Sequence, residues 1–159
     1  TYAAPTRRLC LPPIPPMSSP QVAEHTFEAI AEGFQTSHEY ALTDNVYQCL
    51  VGPFGDVSPL HVDDAYARER GFAGRVMHGA LLNGFLSHFI GVHFPGKRAL
   101  LQSVNIQYKA PSYMGDALRI DATVTQKVES VRALVLEVLF TNTTQGRLVA
   151  KAKVQVGVA

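Results

Sequence analysis

Two titratable residues, Asp56 and His61, lie in the stretch Gly55-Asp56-Val57-Ser58-Pro59-Leu60-His61. A carboxylate and an imidazole held close together suit general acid/base work near neutral pH. Pro59 has no backbone N–H and pushes Ser58 toward extended conformations, so the expectation is a bent loop on which the two heads converge. Downstream, Val76-Met77-His78-Gly79 opens an apolar run that reads as a helix start. Free backbone N–H groups at such an end, Gly79 first among them, can receive developing negative charge. Together these residues could move protons while charge builds on an oxygen. Each has a plainer use as well: Asp56 as a turn residue, His61 and His78 as structural histidines, Gly79 as a point of close packing.

The elements that must position them follow from patterning. Residues 21–32 carry Val22, Phe27, Ile30 and Ala31 and suggest a short helix ended by Gly33. Phe34 to Leu42 alternates and reads as a strand. Thr43-Asp44-Asn45 is a helix start signal, and that helix stops at Gly52-Pro53. Residues 62–70 form another short helix with Asp63 or Asp64 as its cap or first-turn acid, ended by Gly71. Residues 78–91 are apolar on most sides, which marks a buried helix. Past Pro95-Gly96 the period changes to two. Val104, Ile106 and Tyr108 share one face, as do Leu118, Ile120, Ala122 and Val124. Leu134, Leu136, Val138 and Phe140 follow, then Leu148, Ala150, Ala152, Val154 and Val156. Four strands with short links read as an antiparallel meander, and the segment at Phe34 makes five. The buried helix must lie on that sheet, giving an α+β domain.

Composition narrows the function. The chain has 159 residues, one domain's worth, with 14 basic and 13 acidic residues and a net charge of +1. No basic stripe points to nucleic acid. The longest apolar stretch, near Ala80 to Ile90, is too short and interrupted to span a bilayer. Cys10 and Cys49 make no disulfide framework and fit a reducing compartment, hence a cytoplasmic location. No Cys/His cluster has metal-ligand spacing. Residues 1–24 form a proline-rich arm with Pro5, Pro12, Pro13, Pro15, Pro16 and Pro20, and no acid precedes Glu24. An arm of this composition reads as extended, lying on the surface or on a partner subunit. The chain begins at Thr1, so the arm also reads as the remnant of an organelle transit segment, which would place the protein in the mitochondrial matrix; Met17 is another candidate start.

The Asp-x4-His pair, the Pro59-Leu60-His61 segment and the downstream His78-Gly79 resemble the MaoC-like family of (R)-specific enoyl-thioester hydratases and 3-hydroxyacyl-thioester dehydratases. The resemblance runs from about Phe34 to Val156 and excludes the arm. It implies a hot-dog fold, an antiparallel sheet wrapped around a central buried helix, for residues 25–159. It also implies reversible hydration of trans-2-enoyl thioesters to (R)-3-hydroxyacyl thioesters. Asp56 and His61 match the pair that holds and activates water, and Gly79 matches the glycine whose N–H polarises the thioester carbonyl. Ser87 matches a small polar residue near the site, and Ser58 stands where the family commonly has Asn. His78 and Leu82 join Ser58 and Ser87 as candidate substrate contacts. Chain length is expected to depend on Leu82, Leu86 and Phe89. The implied substrate is an acyl-CoA or acyl-carrier-protein thioester, with no metal or organic cofactor, and the implied assembly is a homodimer. Lys97, Arg98 and Lys109 are candidates for the carrier's phosphates. A hot-dog thioesterase and a non-catalytic acyl-thioester binding subunit are the competing readings.

Overall fold

A computed structural model describes residues 21–159. Most of the arm expected over residues 1–24 lies outside that range. Five strands form one antiparallel sheet: β1 (Gln35–Ala41), β2 (Ala99–Tyr108), β3 (Ala117–Val128), β4 (Ala133–Asn142) and β5 (Arg147–Val158). Between β1 and β2 come four helices: α1 (Asp44–Val51), α2 (Pro59–Val62), α3 (Asp64–Glu69) and α4 (Ala80–His88), the last continuing as a π-turn over Phe89–His93.

The sheet order is β1-β3-β4-β5-β2. Strands β3 to β5 are the expected meander, but β2 does not neighbour β3. It crosses to the far edge and pairs with β5, Val104 facing Val154 and Ile106 facing Ala152. Alternation marks a strand without naming its neighbour, and residues 109–116 are long enough to make the crossing.

The α4 helix lies on this sheet because it has apolar residues for two sides. Leu82, Leu86, Phe89 and Ile90 enter the main core with Leu118, Ile120, Leu136, Phe140 and Val154. Leu81, on another side, joins Leu42, Tyr47 and Met77 in a smaller cluster beneath α1. The helix is therefore buried between the sheet and the segment that carries the candidate site.

Two further sequence expectations change. Residues 21–32 form turns instead of a helix: Ala29 N–H bonds Thr26 O and Ile30 N–H bonds Phe27 O, while Phe27 and Ile30 are anchored in the core. The backbone just before is already committed. Ala23 N–H bonds Val92 O, Lys97 N–H bonds Ala23 O, and Glu24 bridges Gly96. In β5, Leu148 is 39% exposed and Val149 only 1%, because an irregularity at Phe140/Thr141 shifts the register there.

Candidate active site

The residues of the site are held by short local bonds. Thr43 caps α1, its Oγ1 accepting from Val46 N–H at 3.3 Å. That helix carries buried Tyr47, whose hydroxyl donates to His61 O at 2.9 Å. His61 does not sit on a loop, as expected, but on α2, a single turn that starts at Pro59 with Ser58 as its N-cap. Proline is favoured at the first helical position because the N–H it lacks would be unpaired there. The Ser58-Pro59 pair was therefore a helix signal, read above as a loop signal. Asp63 then caps α3 by accepting from Ala65 and Tyr66 N–H.

The α2 turn is strapped to residues 76–78 at two points. Val76 N–H donates to Leu60 O at 3.0 Å, and His61 Nδ1 lies 2.7 Å from Val76 O. A carbonyl only accepts, so Nδ1 carries the proton, and neutral His61 keeps its lone pair on Nε2. That is the form a general base requires.

His78 occupies the middle of the arrangement. It is 2% exposed, and its ring centroid is 4.0 Å from that of His61 and 5.6 Å from that of Tyr47. Its Nε2 donates to the Asp56 backbone O at 3.0 Å and lies 3.7 Å from Asp56 Oδ2. The same carbonyl argument puts its proton on Nε2, leaving Nδ1 a buried acceptor without a hydrogen-bond partner among the described residues. Asp56 itself follows Gly55, whose φ of 64° turns the chain, and its carboxylate is 46% exposed. Ser58 N–H reaches Asp56 Oδ1 at 3.4 Å.

Asp56, His61 and His78 thus bring one donor atom each to within 4.8 Å of one another. Sequence spacing showed no metal-ligand pattern, since His78 is far from the other two in the chain. Two imidazoles and a carboxylate can share protons, and they could also ligate a divalent cation.

Beside this cluster is a cavity of about 520 Å³, lined by His61, His78, Gly79, Leu82, Tyr108 and Ser112 among others. Gly79 is the N-cap of α4, and its N–H makes no backbone hydrogen bond among the described residues. Gly79 and His61 thus border the same cavity, and a free N–H at a helix start is a group that can receive negative charge. The floor is fixed by the link between β2 and β3. Met77 N–H bonds Ser112 O, and the carboxylate of buried Asp116 accepts from Tyr113 N–H, Asn142 Nδ2 and Gln145 Nε2.

Of the candidates named from sequence, His61, His78, Gly79 and Leu82 line the cavity, with Asp56 at its edge through His78. Ser58 and Ser87 are exposed and do not line it. Lys97 and Arg98 are occupied by Glu24, at 3.5 and 2.8 Å, whose carboxyl they hold below its ordinary pKa. Lys109 lines the cavity and bonds Gln107 Oε1. Tyr108 was read only as a strand residue; its place on the inward face beside Val104 and Ile106 was the available signal.

Comparison with known proteins identifies the family and the fold. The profile described as MaoC like domain matches residues 27–146. An (R)-specific enoyl-CoA hydratase of Rhodospirillum rubrum is 30% identical over 140 residues, covering 88% of this chain and 96% of that protein. Among solved structures, the unliganded R-hydratase PhaJ1 of Pseudomonas aeruginosa superposes with a TM-score of 0.78 at 21% identity, covering 86% of this chain and 87% of that one. The (R)-hydratase of Aeromonas caviae gives 0.76 at 22% identity, covering 83% and 99%. These two share the fold, an α+β hot-dog arrangement of antiparallel sheet and packed helix. With the match over most of its length and the R. rubrum relative, the chain belongs to the MaoC-like hydratase family.

Proposed function

We infer that the protein is a lyase of the (R)-specific enoyl-CoA hydratase type, acting on acyl thioesters. The observation that carries this is that His61 and Gly79 border one cavity, with Asp56 held beside it through His78. Water adds across a C2–C3 double bond conjugated to the thioester. The water O–H breaks, its oxygen bonds C3, and negative charge moves to the carbonyl oxygen, where the Gly79 N–H stands at the helix end. C2 then takes a proton. His61, with its lone pair on Nε2, and Asp56 carry the two proton transfers. His78 holds the Asp56 backbone and backs the His61 ring. Lys109, the cation candidate that lines the cavity, has a charge that suits a phosphate of the carrier.

The active form is a homodimer. Strand β2 is a sheet edge with Leu100 67% and Leu101 36% exposed. An apolar edge left bare invites pairing with another chain, here a second copy. Sedimentation at micromolar concentration should show a dimer, and a single 17.3 kDa species would refute it.

Incubation with crotonyl-CoA tests the reaction. Loss of enoyl absorbance without release of free thiol is expected. Thiol release with the enoyl absorbance intact would replace the hydratase with a thioesterase.

A further inference from the structure

Strand β2 turns Val104, Ile106 and Tyr108 to one face, toward α4. Val104 and Ile106 pack on the core, while Tyr108, at the strand's end, is 52% exposed. Its ring lies against Gly79. A Cβ built on that glycine would meet Tyr108 Cε1 at 3.1 Å, Cζ at 3.3 Å and Cδ1 at 3.4 Å. Beyond the ring, the phenol oxygen accepts from Asn83 Nδ2 at 3.0 Å. Gly79 and Asn83 are about one helical turn apart on the same side of α4. The ring is therefore laid along the first turn of the helix, fixed at one end by contact with a glycine and at the other by a hydrogen bond. Tyr108 lines the cavity and Asn83 does not. One is the wall and the other its latch.

We propose that Tyr108, latched by Asn83, is a specificity-determining residue that sets the width of the cavity beside the thioester carbonyl and excludes acyl chains branched at C2. The proposal rests on the hydratase reading, which puts the carbonyl oxygen at the Gly79 N–H. C2 is bonded to the carbonyl carbon, so a methyl group on C2 must fit next to the turn the ring already covers. The Asn83 bond opposes a sideways shift of the ring. Steric discrimination over a single methyl group amounts to about 10- to 200-fold in kcat/KM.

The test compares kcat/KM for crotonyl-CoA and its 2-methyl analogue in the wild type, Tyr108→Ala, Tyr108→Phe and Asn83→Ala. A ratio of the two substrates cancels both their intrinsic reactivity and any loss of folded protein when variants are compared. Tyr108→Ala should move the ratio toward the branched substrate by about tenfold or more. Tyr108→Phe keeps the ring and loses the latch, as does Asn83→Ala. Each should give a smaller shift of equal size, and the double variant should exceed neither, because both cut the same bond. A ratio unchanged in Tyr108→Ala overturns the proposal. Competition binding of butanoyl-CoA against 2-methylbutanoyl-CoA needs no turnover and separates the two ideas. A wild type that hydrates no enoyl thioester sinks the hydratase reading. The wall is then judged by binding: a preference for the straight chain lost in Tyr108→Ala supports it, and a preference unchanged refutes it.

Discussion

His61 and His78 lie ring against ring, their centroids 4.0 Å apart and their planes inclined by 31°. They reach this contact from opposite sides of a two-point strap, Leu60 to Val76 and His61 to Val76. Each ring donates to a backbone carbonyl, so each tautomer is set by the chain itself. The pair links the histidine directly before Gly79 to the histidine on α2.

We propose that His78 acts by position. Replacing it with Ala leaves Asp56 O without its donor and the His61 ring without its backing. Misplacement of catalytic groups by about an ångström costs about 100-fold in rate. His78→Ala should lower kcat for crotonyl-CoA by that order while circular dichroism shows a retained fold. His78→Gln, which can still donate to Asp56 O, should recover part of the loss. Equal kcat in wild type and His78→Ala would remove His78 from the site.

Gly79 has an ordinary helical φ of −58°, so alanine fits the backbone there. Its Cβ would stand 3.1 Å from Tyr108 Cε1, so the ring must give by a few tenths of an ångström. Gly79→Ala should keep a melting temperature close to wild type but shift the ring or the helix end. Loss of one well-placed oxyanion donor costs about 100- to 1,000-fold in kcat, and a displaced donor should cost some fraction of that. Stopped-flow or steady-state hydration kinetics measure it; an unaltered kcat would show that the thioester carbonyl is polarised elsewhere.

A second histidine group gives a prediction about pH. His93 lies 3.7 Å by ring centroid from His38 and 5.1 Å from His88, which in turn bonds the Tyr40 hydroxyl. Its Nε2 is buried without a hydrogen-bond partner among the described residues. Burial, and then the charge that His38 and His88 carry when protonated, hold its pKa below the ordinary 6.5. The unfolded chain therefore binds this proton more readily, and stability rises with pH across the window. The contribution is complete above the ordinary value and is lost as pH falls through the folded one. Melting temperatures from pH 7.5 down to 5 should drop less steeply in His93→Gln than in wild type. Parallel profiles would contradict this.

Much of this was legible in the chain. Strict alternation from Leu118 to Val124 and from Leu134 to Phe140 marks buried strand faces, and every one of those positions is buried. Thr43 and Asp63 announced helix caps because a side-chain oxygen before a run of free N–H groups has one obvious use. Asp56 and His61 were legible because their spacing is local. The crossing of β2 to β5 was not, since alternation says nothing about partners. The contact of His78 with Asp56 was hidden because it spans 22 positions and depends on how α2 is strapped to Val76. Residues 21–32 misled because Phe27 and Ile30 are spaced for a helix while the backbone beside them is spent on pairing with residues 92–97.

The most direct test of the account is the hydration of crotonyl-CoA by wild type, Asp56→Asn and His61→Ala, with binding of butanoyl-CoA measured in parallel. The wild type should hydrate the enoyl thioester. Loss of a general acid or base costs about 100- to 10,000-fold, and each variant should fall by that order in kcat while still binding the saturated thioester. Wild-type kcat retained in either variant would contradict the assignment of Asp56 and His61 as the groups that move the protons.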